Sequence, residues 1–243
     1  MKLSTAKFDF SGRLALVIGG SSGIGEGVVK ALSECGAKVL FASRGSGNLD
    51  SDATFIPCDI QKDVDVSAMF KKVDSYGNLD FLVNAAAISS NTKISEIDQS
   101  QWDIVMDTNL RSIFFACKYA IERMRRQNFG RIVSISSIAG RHRSLVAGVH
   151  YTASKAGIIG LSRQLAFEQS GKNININVVC PSQTLTPLLE KAMSDVELKN
   201  LSSSIPLGRI AEVEEQVTPI LFLLSDAASY INGAVIDING GQL

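Results

Sequence analysis

The 243-residue chain is 45% hydrophobic and 20% charged, the make-up of one globular domain rather than of a disordered or disulfide-stapled chain. Its 24 basic and 24 acidic side chains cancel, which excludes a global field that would recruit nucleic acid or an anionic membrane. Cys35, Cys58, Cys117 and Cys180 form no CxxC, and His142 and His150 are the only histidines, so reduced buried thiols, no metal site and a cytoplasmic protein are expected.

No apolar run precedes Asp9, and no window reaches the ~18 apolar residues of a membrane span, so neither a signal peptide nor a spanning helix is expected. From there, short apolar runs alternate with longer stretches of helical period. Strands are predicted at Leu14–Ile18, Lys38–Ala42, Thr54–Ile56, Leu79–Val83, Arg131–Ile135, Ile174–Val179 and Val235–Ile238. Helices are predicted at Ile24–Leu32, Val64–Tyr76, Gln101–Gln127, Thr152–Gln169 and Val213–Leu224. This alternation implies an α/β fold: a single Rossmann-type, doubly wound domain over 1–243, with a seven-stranded parallel sheet and helices on both faces. Between strands 2 and 3 lie only about ten residues, where a parallel crossover takes ~12 or more, so a Gly-rich loop with little or no helix is expected there.

The first strand runs into Gly19-Gly20-Ser21-Ser22-Gly23-Ile24-Gly25 and then a helix. Glycines allow a sharp turn and close approach to a ligand, and the helix N-terminus offers free N–H groups to a pyrophosphate. The same letters spell a GxSxG nucleophile elbow at Ser21. A hydrolase would need a histidine late in the chain, and the only two, His142 and His150, stand near its middle. At the end of the second strand, Ser43-Arg44 stands where an NAD site would usually carry an acid; a guanidinium suits the 2′-phosphate of NADP instead. Gly45 and Gly47 could add backbone N–H groups.

Tyr151 and Lys155, four apart, share one helix face. A phenol with a pKa near ~10 becomes a useful acid or base when a cation close by favours its ionised form.

With these residues assembled, the chain resembles the short-chain dehydrogenase/reductase family over essentially its whole length. Gly19, Gly23, Ile24 and Gly25 match the family's TGxxxGIG turn, and Ser21 and Ser22 lie within it. Asp59 and Ile60 match the pair that touches adenine, and Asn84, Ala85 and Ala86 stand in the NNAG segment. Asn109 matches the active-site asparagine, Ser137 the catalytic serine (with Ser136 as fallback), and Tyr151 and Lys155 the YxxxK pair. Pro181, Thr184 and Thr186 fall in the PGxxxT segment around the nicotinamide. Ile18, Ala85, Ala87, Ser182 and Asn239 depart from the family pattern at positions that brace the cofactor.

The resemblance implies an oxidoreductase that moves a hydride between NADP(H), rather than NAD(H), and a carbonyl or secondary alcohol. Tyr151 would be its acid or base, Ser137 would hold the substrate oxygen, Lys155 would lower the tyrosine pKa and hold the nicotinamide ribose, and Asn109 would hold a water beside Lys155. It implies a small-molecule or carrier-bound substrate: a 3-oxoacyl thioester, or alternatively a sugar or polyol. A reading of another class is a non-catalytic NADP-binding protein. A homotetramer or homodimer packed through the Gln101–Gln127 and Thr152–Gln169 helices is also implied, as is an apolar substrate lid at about 186–210. Arg141 and Arg143 are candidates to approach an anionic substrate tail.

Overall fold

The computed structural model describes residues 8–144, 146–186, 189 and 193–242. In chain order these form β1 (Leu14–Ile18), α1 (Gly23–Glu34), β2 (Lys38–Ser43), β3 (Thr54–Pro57), α2 (Asp63–Asp74), β4 (Phe81–Asn84), α3 (Gln99–Met106) and α4 (Ser112–Gln127). There follow β5 (Gly130–Ile135), α5 (Ile138–Arg141), α6 (Val149–Glu168), β6 (Ile174–Pro181), α7 (Asp195–Ser203), α8 (Val213–Leu224) and β7 (Val235–Ile238).

The seven strands make one parallel sheet in the order β3-β2-β1-β4-β5-β6-β7. Strand β1 is buried along its whole length because both of its faces are covered. Leu14, Leu16 and Ile18 join Leu40, Leu82 and Ile132 on the face under α2, α4 and α6. Ala15 and Val17 join Phe41, Val83 and Val133 on the face under α1 and α8. The sheet order reverses between β1 and β4, and a crevice opens there above the strand ends, where open α/β sheets hold ligands. As expected from its length, the β2–β3 connection contains no helix. Among the described residues no helix is long and apolar enough to cross a membrane.

Three features differ from the expectation. The helix expected at Gln101–Gln127 begins at Gln99, where Asp98 and Gln101 cap it reciprocally: Gln101 N–H donates to Asp98 Oδ1 at 2.8 Å and Asp98 N–H to Gln101 Oε1 at 3.1 Å. It is also interrupted. Residues Asp107–Arg111 form a π turn, in which Ser112 N–H bonds five residues back to Asp107 while its hydroxyl takes the Thr108 carbonyl at 2.6 Å. A one-residue insertion of this kind leaves the apolar period almost intact, so the pattern conceals it. The third is the short helix α5 directly after β5, too brief to carry a period.

Candidate active site

The phosphate-type turn is shaped by close approach. Gly19 has φ +86°, and a Cβ there would overlap the backbone of Ala86; one on Gly25 would overlap the Gly19 carbonyl and lie 3.2 Å from Ala85 Cβ. The turn is tied to its neighbours by backbone bonds, Gly19 N–H to Ala42 O at 2.7 Å and Ala85 N–H to Ile18 O at 2.8 Å. These bonds need no hydroxyl at position 18, so Ile18 is accommodated. Ser22 precedes α1 in an extended conformation and makes no side-chain cap bond, which leaves the first N–H groups of the helix open to an anion. From the other side, Thr186 Cγ2 stands 3.4 Å from where a Gly23 side chain would begin. Gly47, at φ +66°, folds the β2–β3 loop against Ser21.

These elements border one cleft of about 750 Å³ along the carboxyl ends of the strands. It is lined by Gly19, Ser21 to Gly25, Ser43, Arg44, Asp59, Ile60, Ala85, Ala86, Pro181, Thr184 and Thr186, and at its far end by Ser137, Tyr151 and Lys155. Two of the residues expected to hold the cofactor or take part in the chemistry do not line it. Asn84 is buried beneath, its amide donating to Ser134 Oγ at 3.1 Å. Asn109 is fully buried. Gln61, Thr108, Ile88 and Ser89 also line the cleft and escaped the sequence reading. Gln61 Nε2 donates to Thr108 Oγ1 at 2.6 Å, joining the loop after β3 to the π turn. Adjacency to Asp59-Ile60 and to Asn109 was the only signal for that pair.

Helix α6 brings Tyr151 and Lys155 onto one face, with Lys155 Nζ 5.6 Å from the phenol ring centroid. Lys155 is 2% exposed, and its ammonium donates to Ile135 O at 2.8 Å. Burial disfavours the cation and pulls its pKa down to about 8. Burial also pushes the Tyr151 phenol up, with a hydrogen bond to Ser137 acting in the opposite direction. The expected depression of the phenol by Lys155 is therefore not what the protein alone produces. Desolvation wins, and Tyr151 stands protonated, ready to donate.

The adjacent serines divide. Ser137 sits extended at the start of α5, its Oγ accepting from Ala139 N–H at 3.1 Å. Ser136 is buried, and its hydroxyl donates to the Lys155 main-chain carbonyl at 2.7 Å. Asn109 Oδ1 accepts from Ile88 N–H at 2.8 Å, and Nδ2 donates to Ile88 O at 2.9 Å and to Ser154 Oγ at 3.1 Å. Both amide hydrogens of Asn109 are thus engaged within the protein.

The substrate side corrects two expectations. The Arg141 guanidinium forks onto Asp237, Nε to Oδ1 at 3.0 Å and NH2 to Oδ2 at 3.1 Å, and does not line the cleft; Arg143 is exposed and does not line it either. In the expected lid, Leu188 lies outside the described residues, while Leu185, Leu189, Met193 and Leu198 pack against Leu201, Ile205 and Ile210 as a separate cluster. Their apolar surface covers one another. For the elbow reading, Ser21 lines the cleft but no histidine does.

Similarity to known proteins runs along almost the whole chain. The sequence model of the family described as enoyl-(acyl carrier protein) reductase matches residues 18–242. The 3-oxoacyl-(acyl-carrier-protein) reductase FabG of Thermotoga maritima is 34% identical over 241 residues, covering 95% of this chain and 97% of that protein. The acetoacetyl-CoA reductase of an Acinetobacter species is 33% identical over 242 residues, covering 94% and 97% respectively. Among solved structures, a Beutenbergia cavernae protein described as an NAD(P) dependent gluconate 5-dehydrogenase, with NADP bound at low occupancy, superposes with a TM-score of 0.90. It is 29% identical, and the match covers 97% of this chain and 98% of that one.

A doubly wound parallel sheet whose crevice runs from a glycine turn to a serine, a tyrosine and a lysine defines an NAD(P)-dependent oxidoreductase. The chain belongs to the short-chain dehydrogenase/reductase family.

Proposed function

We propose that the protein is an NADP(H)-preferring reductase of carbonyl compounds, with 3-oxoacyl thioesters as its substrates. The observation that carries this reading is that Ser137, Tyr151 and the buried Lys155 border the same end of the cleft. A substrate oxygen placed there meets a bound hydroxyl and a protonated phenol together. Ser137 stabilises negative charge on that oxygen, and Tyr151 passes its proton to it. The names of the 3-oxoacyl and acetoacetyl-CoA reductases among its relatives support the substrate class.

The residues present fit a dinucleotide: the uncapped first turn of α1 and the glycine cradle suit a pyrophosphate, and Asp59 and Ile60 border the adenine side. The cofactor supplies or accepts the hydride. Ser43 and Arg44 support a preference for NADP(H), since Arg44 is exposed at the cleft rim and has no ion-pair partner among the described residues. NADPH fluorescence on mixing, followed by turnover of acetoacetyl-CoA by wild type and Tyr151→Phe, tests the reading. Binding with no turnover of any carbonyl or alcohol offered would leave a dinucleotide-binding protein.

One observation favours sugars or polyols instead. Leu185, Leu189, Met193 and Leu198 are engaged with Leu201, Ile205 and Ile210, and the polar residues Ser89 and Ser182 line the cleft. Oxidation of aldohexoses or gluconate with NADP+ would decide for that substrate class.

The protein is further proposed to assemble as a homotetramer or homodimer through α4 and α6. Phe114 and Phe167 on those helices are 44% and 74% exposed, and apolar faces of this kind are covered in closed assemblies. Light scattering during gel filtration measures this directly. A cytoplasmic location is consistent with its four free thiols, of which Cys58, Cys117 and Cys180 are buried.

A further inference from the structure

We propose that Ser136 is a positioning residue, which holds Lys155 by its main chain while the preceding residue, Ile135, holds it by its ammonium. The end of β5 would thereby fix both ends of one side chain: Ser136 Oγ lies 2.7 Å from the Lys155 carbonyl, and Lys155 Nζ lies 2.8 Å from the Ile135 carbonyl. The inference rests on Lys155 belonging to the active site, and it assigns Ser136 no contact with substrate.

Four features support a joint built for this purpose. Lys155 lies well inside the 20-residue α6, where its carbonyl already has a partner in the helical ladder. The bond from Ser136 is therefore an addition and not the cap of an orphan. Gly140 on α5 is the second feature: a Cβ there would lie 2.6 Å from the Lys155 carbonyl carbon and 2.8 Å from Ser136 Oγ, so glycine is what lets α5 close on this peptide. Third, Ser136 is itself seated by its N–H, which donates to Val179 O at 2.9 Å in β6. Fourth, the buried Cys180 on β6 lies beside Ser136 and Ser137 and backs the joint from the far side.

The consequence lies in the environment of the ammonium. Pinned at both ends, Lys155 cannot withdraw along its stem toward water, and the groups that face it are Tyr151 on α6 and Cys180 on β6. Without the Ser136 bond, α6 can slide by a fraction of an ångström, water reaches Nζ, and the pKa of about 8 climbs toward the ordinary lysine value of 10.5.

The test uses Ser136→Ala and the near-isosteric, weaker-donating Ser136→Cys in the full chain. Two pH profiles are read: kcat with acetoacetyl-CoA, and the dissociation constant of NADPH by fluorescence. The expected result is a kcat reduced on the order of tenfold with little change in substrate KM. An alkaline limb displaced upward by about half a pH unit or more is expected in both profiles. Ser136→Cys should move the same way by less, and it carries the test if Ser136→Ala does not fold. A folded variant with an altered melting temperature but unshifted profiles would overturn the proposal, because a merely structural hydroxyl predicts that outcome. The NADPH arm needs no turnover. If wild type reduces no thioester, the proposed substrate fails while the role of Ser136 is still decided.

Discussion

Asn109 holds Ile88 by both of its main-chain polar groups, and through Ser154 it reaches the backbone of Tyr151. Ser154 Oγ receives a hydrogen from Asn109 Nδ2 at 3.1 Å and donates its own to the Tyr151 carbonyl at 2.7 Å. The asparagine thus joins a segment bordering the cleft to the helix that carries the phenol. Its place in the π turn aims it inward between them. Asn109→Ala should leave the Ile88 N–H and C=O without these partners in a part-buried setting, at a cost of about 1 kcal/mol or more. Urea denaturation should show this as a lower midpoint, together with reduced turnover. An unchanged midpoint would contradict the clamp.

Tyr151→Phe removes the phenol hydroxyl beside Ser137 at the end of the cleft. The ring remains, and with it the packing of the cleft. Turnover should fall by about a hundredfold or more, the usual contribution of a general acid. NADPH binding should change little. Activity within a few-fold of wild type would mean that another group supplies the proton.

Arg44→Ala should weaken NADPH binding by about ten- to a hundredfold, the value of one or two charge-assisted hydrogen bonds. NADH has no 2′-phosphate, so its binding should be nearly unaffected. Parallel fluorescence titrations with the two dinucleotides give the comparison. Equal losses for both would dismiss the 2′-phosphate contact.

Lys155 also links stability to pH. Its folded pKa, about 8, lies below the ordinary 10.5, so between those values the unfolded chain binds more protons than the folded one. Stability from this group therefore rises with pH across that window. Below about 8 the full cost of burying the cation is present, on the order of 3 kcal/mol. Lys155→Met should accordingly be more stable than wild type at pH 7, with the gap narrowing toward pH 10. Taking the difference between the two proteins cancels the opposing contributions of Cys58, Cys117 and Cys180, whose thiols burial pushes up. A gap independent of pH would show that Lys155 is better hydrated than its position suggests.

Much of the fold was legible because of how a parallel sheet is made. Strands covered on both faces, such as Leu14–Ile18, must be apolar throughout, and the β2–β3 gap was too short for a helix. What stayed hidden depends on contacts distant in sequence or on burial. The Asp98–Gln101 capping box is written in the chain, whereas the π turn leaves no mark on the apolar period. Spacing could not separate Ser136 from Ser137; only their opposite directions do so. Motif positions mark most of the residues bordering the cleft, whereas Asn84 and Asn109 match the motifs and lie beneath it. The direction of the Tyr151 shift was unreadable, because one charged neighbour is visible in a sequence and the loss of water is not.

The fork from Arg141 to Asp237 has a bearing on how the protein is made. It fastens the short helix after Ser137 to the last strand, and its two ends are 96 residues apart in the chain. At roughly 5–20 residues per second on a ribosome, Asp237 follows Arg141 by several seconds or more. During that interval the glycine turn, the arginine at the end of β2 and the strands between them are already synthesised. A nascent chain can therefore acquire its dinucleotide-holding half before the serine has its final anchor. The anchor itself forms only once β7 is laid down.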